Sequence, residues 1–250
     1  MAEFDRRYLT AAGTGARARV GIDEGLRAFM LGVYNNMALG LAVTGVAALA
    51  AFYMAVDQAT GTLTPFGEAI YMSPLRWVII FAPLAFVFGL SAMVERMQPA
   101  TARMIFFAFA AVMGLSLSSI FLVFTGESII RTFFITAATF GSLSLWGYTT
   151  KRDLSGWGSF LFMGLIGLII AMIVNLFMQS SALQFAVSVI GVLIFAGLTA
   201  YDTQRLKVIY DHVAGDSTAA ARASILGALR LYLDFINLFM FLLQFLGNRE

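Results

Sequence analysis

The sequence predicts an all-α membrane protein, a seven-transmembrane helix bundle, and three observations carry that prediction. Of its 250 residues, 60% are hydrophobic and 12% charged, whereas soluble domains are about 45–50% apolar and about 25% charged. The apolar residues gather into seven long runs, each near the ~20 residues a helix needs to cross hydrocarbon. Most of the 16 Lys and Arg residues stand at the ends of those runs, as membrane topology requires.

Residues 1–25 are polar, rich in Gly and Ala, and basic through Arg6, Arg7, Arg17 and Arg19. They are expected to form a mobile cytoplasmic tail ahead of a transmembrane domain over 26–250. The first run, 26–54, exceeds the minimum length and is therefore tilted or projects into water. The second, 75–94, contains Pro83, which removes a backbone donor and predicts a kink. The third, 104–124, carries Ser116, Ser118 and Ser119, hydroxyls that line a wet cavity or, more commonly, bond back to their own helix. The fourth and fifth, 132–149 and 159–178, are flanked by Trp146 and Trp157, and Trp77 sits at the start of the second, where interfacial indoles belong. The sixth, 182–208, and the seventh, 222–246, again exceed the minimum. Small residues such as Gly40 and Thr44, Gly164 and Gly167, and Gly191 and Gly197 read as sites of close helix approach. The 13 Met residues read as packing filler.

Charge placement sets the orientation. Arg6, Arg7, Arg17, Arg19, Arg27, Arg96, Arg103, Lys151, Arg152, Arg205, Lys207, Arg222 and Arg230 fall on one side, 13 of 16; Arg76, Arg131 and Arg249 fall on the other. The positive-inside rule then places the N-terminus in the cytoplasm and, with seven spans, the C-terminus outside. Six spans plus a re-entrant segment is the competing topology.

Composition also excludes functions. With no cysteine, disulfides and thiolate metal sites are ruled out. The formal net charge of +2 and pI near 9.0 do not indicate nucleic acid, because the basic residues mark span ends rather than one face. No cleavable signal peptide is expected. One His and no Cys leave only carboxylates as metal ligands, and neither a Gly-rich phosphate loop nor a Ser-His-Asp set is present. The chain is not expected to be an enzyme or to carry a resident cofactor.

Chemistry is expected at ionisable residues inside the spans, since a charge there costs roughly 2.5–3.5 kcal/mol on insertion scales. Asp202, in Phe195-Ala-Gly-Leu-Thr-Ala-Tyr-Asp202-Thr-Gln-Arg205, lies near the inner end of the sixth span. Asp234, in Leu231-Tyr-Leu-Asp234-Phe-Ile-Asn237, lies within the seventh. The two spans run in opposite directions about a turn at Gly215-Asp216-Ser217. At about 1.5 Å per residue the acids reach similar depths, so a facing pair is allowed. Two close carboxylates in a low dielectric resist double ionisation and share a proton. Singly protonated, they clamp their helices; fully ionised, they repel or attract a cation. Two carboxylates fall short of the 6–8 oxygens calcium prefers, so a transient cation position fits better than storage. The bland alternative pairs Asp202 with Arg205 and Asp234 with Arg230 along single helices. Arg96 reads first as a positive-inside anchor, His212 as a solvated loop residue, and Asn175 and Asn237 as interhelical hydrogen-bond partners.

The stretches Ala200-Tyr-Asp-Thr-Gln-Arg-Leu-Lys207 and Leu231-Tyr-Leu-Asp-Phe-Ile-Asn-Leu-Phe239 resemble the Bax inhibitor-1, or transmembrane Bax inhibitor motif, family. Length, span number and motif order agree over 26–246. The resemblance implies a bundle whose last helix is central. It also implies a pH-sensitive pair, here Asp202 and Asp234, governing calcium leak. An arginine after the second helix would latch that pair: Arg96 is the best match, with Glu95 competing for the position. Arg230 departs from the small or polar residue of that pattern, and its permanent charge would bias the gate toward its ionised form. Bacterial relatives are also linked to inhibition of a membrane-bound protease.

These readings lead to a proton-gated calcium or cation leak pathway in a bacterial inner membrane, with lipid, calcium and protons as its partners. The alternative is an interaction protein that restrains a membrane protease complex through its apolar surface and basic tail. A proton-coupled transporter would be expected to show an internal repeat, and no clear one is visible.

Overall fold

In the computed structural model, residues 24–248 are described, apart from the side chain of Glu95; the expected mobile tail lies outside that range except for its last two positions. Seven helices are long and apolar enough to span a membrane: α1 Glu24–Ala55, α2 Leu75–Met93, α3 Pro99–Leu122, α4 Gly126–Thr149, α5 Ser155–Met178, α6 Ser181–Val213 and α7 Ser217–Leu246. The seven-span reading holds over the re-entrant one. The last turn of α3 tightens to a 3-10 helix over Ser118–Leu122.

Several helices extend past the apolar runs, because their ends are set by caps in the polar layer rather than by hydrocarbon. Pro99 opens α3 at its first position, where the missing N–H costs nothing. Thr125 accepts from Ser128 N to start α4, Ser180 from Leu183 N to start α6, and Asp216 from Thr218 N and Ala219 N to start α7. Each cap satisfies amides that would otherwise lack partners. Thus α4 begins at 126 rather than 132, and α7 at 217 rather than 222.

Packing is organised in two groups of three around a centre. Helix α3 packs between α1 and α2, and α6 packs between α4 and α5; α7 touches α1, α3, α4 and α6. The apolar stretch of α7 is 72% buried, against at most 33% for any other span. Leu231, Tyr232, Leu238 and Leu243 are wholly enclosed. A helix apolar on all sides must be surrounded by protein or lipid, and here protein does it.

Two glycines set the closest crossings. A side chain at Gly114 of α3 would strike the backbone of α1 at Thr44, and one at Gly147 of α4 would strike the backbone of α6 at Ala200. Of the small residues singled out in the sequence, Gly40, Gly191 and Gly197 accept the side chains of Phe106, Phe241 and Leu161, whereas Gly167 faces open space. Trp77, Trp146 and Trp157 are exposed near helix ends.

Arg27, Arg96, Arg103, Lys151, Arg152, Lys207 and Arg222 all lie toward one end of the bundle, and Arg76 and Arg131 toward the other. The former end is the basic face of the bundle.

Candidate functional site

Helices α6 and α7 form an antiparallel hairpin that reaches past the α4–α5 turn on the basic face, with α1 alongside it at Tyr210. Gln204 of α6 lies level with the turn joining α4 to α5: its amide nitrogen donates to Arg152 O and its carbonyl accepts from Leu154 N. The remaining turns of α6, to Val213, therefore project past the ends of α4 and α5. Asp202 sits just on the membrane side of that level.

The register of the hairpin is set where Leu206 packs over Gly227, with its methyl group 2.6 Å from where a Cβ would stand. From that contact Asp202 is four residues along α6 and Asp234 seven along α7 in the same direction, an offset of about 4.5 Å. The two carboxyl groups come within hydrogen-bonding reach of each other. Asp234 is buried, at 5% exposure, and its Oδ2 has no donor partner among the described residues. Asp202 is half-buried.

Neither same-helix pairing closes to a hydrogen-bonded ion pair among the described residues, but Arg205 still acts on Asp202, and Arg230 on Asp234, by charge along its own helix. Arg230 faces both acids and Arg205 faces Asp202, each as a charge acting through space without a hydrogen bond. Buried polar atoms are nearly always bonded. An orphan carboxylate oxygen beside a second carboxyl group is a place where a proton, or a cation, would complete the set.

The pair borders a cavity of about 660 Å³ between α5, α6 and α7. Ser155, Ser159, Tyr201, Arg205, Arg230 and Asn237 supply its polar wall, and Phe162, Phe195 and Phe241 line its apolar part. Tyr201 also lines a second recess on the basic face, so it stands between the two. Its ring lies against Gly158 of α5, where a methyl group would sit 2.5 Å from the phenol carbon. Among the described residues no group of three or more His, Cys, Asp or Glu could hold a metal ion. A cation at the pair would be cargo with few protein ligands.

Arg96 lies in the short 3-10 turn Val94–Arg96 after α2, exposed, and does not line the cavity; Glu95, its competitor, has no described side chain. The arginine tying this turn to α7 is Arg222, whose Nε donates to Met97 O at 2.8 Å. His212 belongs to the last turn of α6, not to a loop, and its Nδ1 lies 2.7 Å from Val208 O. Asn237, expected to bridge helices, instead donates to Leu233 O of its own helix. Asn175 caps the turn after α5 by accepting from Ser180 N. Ser118 both donates to Leu115 O and accepts from Tyr71 OH.

One polar cluster was not visible in the sequence. Tyr34 OH lies 2.6 Å from Ser144 Oγ, which lies 2.9 Å from Thr203 Oγ1, which donates to Thr199 O. This chain ties α1 and α4 to α6 next to Asp202. Its only advance signal was hydroxyls in spans, which usually bond to their own helix.

A family model described as Inhibitor of apoptosis-promoting Bax1 matches residues 26–250. The chain is 48% identical over 251 residues to a protein of Caulobacter vibrioides, covering 100% of both. It is 48% identical to the inner membrane protein YbhL of Escherichia coli strain K12, covering 90% of this chain and 94% of that one. A membrane protein of Streptococcus pyogenes serotype M3 is 35% identical, with 91% and 96% covered.

Proposed function

We infer the function from one premise: the chain belongs to the Bax inhibitor-1 family. We propose that it is a proton-sensitive leak pathway for calcium or similar cations, seated in a bacterial inner membrane with its basic face toward the cytoplasm. The observation that carries this reading is the meeting of Asp202 and Asp234, with one oxygen of Asp234 buried and lacking a donor.

With one proton between them, the acids make a charge-assisted hydrogen bond that fastens α6 to α7. When that proton leaves, two negative charges face each other in a poorly hydrated site. The helices separate, or a cation enters to neutralise them. Arg230 and Arg205 tune the balance by their charge. Arg96, whose place in the sequence matches the family's latch, would act only after a movement of the α2–α3 turn. No catalytic step and no resident cofactor enter this scheme.

Calcium flux into vesicles containing the purified protein tests it. Flux should rise as the pair loses its proton, and Asp234→Asn should abolish that pH dependence. A wild-type pH profile in Asp234→Asn would reject the gate.

The second reading, restraint of a membrane protease complex, rests on the basic segment 1–25 with Arg6, Arg7, Arg17 and Arg19. It does not require the acid pair.

A further inference from the structure

The turn between α4 and α5 is short, basic and tightly held. Gln204 binds it at two points, donating to Arg152 O at 2.7 Å and accepting from Leu154 N at 2.8 Å. Lys207 holds the end of α4, donating to Tyr148 O at 2.7 Å. These bonds fold the turn against α6 and leave a recess of about 500 Å³ lined by Lys151, Arg152, Asp153, Ser155, Gln204 and Arg205, among others.

The charge of this recess is unbalanced. Lys151, Arg152 and Arg205 are all exposed and bring three cations to one concavity, of which Arg205 is shared with Asp202. Asp153 is the carboxylate among them, and it is already engaged: its Oδ1 accepts from both Ser155 N and Ser155 Oγ. Those bonds hold its carboxyl below the ordinary value of 3.8. Arginine forks and a lysine gathered on fixed backbone suit phosphate oxygens.

The recess lies between the ends of two spans, Thr149 of α4 and Ser155 of α5, where a lipid headgroup would stand. Trp146, near the end of α4, and Trp157, in the first turn of α5, stand on either side of the turn in the chain and are exposed, as indoles at the membrane interface are. Beneath it lies the cavity shared through Tyr201, along which Phe162 and Ile169 of α5 present exposed apolar surface. A molecule with a phosphate at one end and a hydrocarbon chain at the other would follow this path.

We propose that the recess between the α4–α5 turn and α6 binds the phosphate of an anionic phospholipid. The headgroup contacts do not rest on the leak reading, although the hydrocarbon chain beneath them would lie along the cavity that the acid pair borders. A soluble phosphate would use the cations alone, whereas the indoles and the apolar wall beneath them favour a lipid.

Native mass spectrometry of the full chain, released from nanodiscs of phosphatidylcholine doped with phosphatidylglycerol, tests the proposal. Phosphatidylglycerol should be retained in preference to phosphatidylcholine. Lys151→Gln with Arg152→Gln should weaken that preference by at least about tenfold, through loss of charge-assisted contacts to the phosphate. Gln204→Ala, which frees the turn without changing charge, should weaken it too. Arg27→Gln with Arg103→Gln removes equal charge from the same face outside the recess and should leave the preference intact. Equal loss in both double variants would reduce the effect to diffuse attraction and overturn the site. Displacement of the lipid by inorganic phosphate alone, at matched concentration, would assign the recess to free phosphate and overturn the lipid.

Discussion

Thr44 of α1 and Tyr232 of α7 are joined through their hydroxyls at 2.6 Å, both side chains buried at the centre of the bundle. Thr44 has its own acceptors in Gly40 O and Ala110 O, so the tyrosine is the donor and the threonine its acceptor. Tyr232 is two residues from Asp234, and this bond fixes the rotation of α7 that aims the acid at α6. Removing either partner should therefore not be equivalent. Tyr232→Phe leaves Thr44 satisfied and should cost about 0.5–1.5 kcal/mol, whereas Thr44→Val strands a buried phenol and should cost about 1–3 kcal/mol. Unfolding titrations in mixed detergent micelles measure the order.

The acid pair gives a sharper expectation. In Asp234→Asn an amide can donate to Asp202 at any pH, so the clamp no longer needs a proton. Calcium flux in vesicles should be low and flat with pH. Asp202→Asn should behave alike, and the double variant should add little, because both remove the same event. Additive effects would mean that the two carboxylates act separately.

Arg230 favours the ionised pair by its charge. Arg230→Gln should lower flux at a fixed pH at which the wild type leaks, and Arg230→Lys should retain most of it. A Gln variant that leaks as well as the wild type would place Arg230 outside the gate.

Asp153 offers a test in water, beyond the spans. Hydrogen bonds first from Ser155 Oγ and then from Ser155 N lower its carboxyl from 3.8. A carboxyl lowered by folding stabilises the turn above 3.8, and that contribution is lost as pH falls through the lower folded value. Carboxyl carbon NMR in micelles should show Asp153 titrating below 3.8. Ser155→Ala should move it back toward that value.

Removal of residues 1–25 separates the two functional readings. Leak should survive it. Association with a protease complex, the activity of the second reading, should not.

The seven spans were legible because run length and hydropathy are dictated by hydrocarbon thickness, which every span must meet. Their ends were less so. Thr125, Ser180 and Asp216 cap helices in the headgroup layer, where polarity no longer distinguishes helix from turn. Asp202 and Asp234 stood out as acids on successive antiparallel spans, and the structure brings them together. Their charged neighbours did not stand out in the same way. Arg205 acts on Asp202 within its own helix as expected, Arg230 acts on both acids rather than on Asp234 alone, and Arg96 does not line the cavity that the pair borders. The tie from Tyr34 through Ser144 to Thr203 was illegible, since it joins three distant spans through side chains that seldom reach so far.

The enclosure of α7 bears on how the protein is made. Synthesis runs from the N-terminus, so six spans enter the bilayer before the one they surround. Until α7 arrives, the two groups of three have only lipid or each other where a core should be. Final assembly must wait for the ribosome to release a helix that carries an acid into hydrocarbon. Truncations or bulky fusions near Leu246 should therefore damage biogenesis far more than equivalent changes at the periphery.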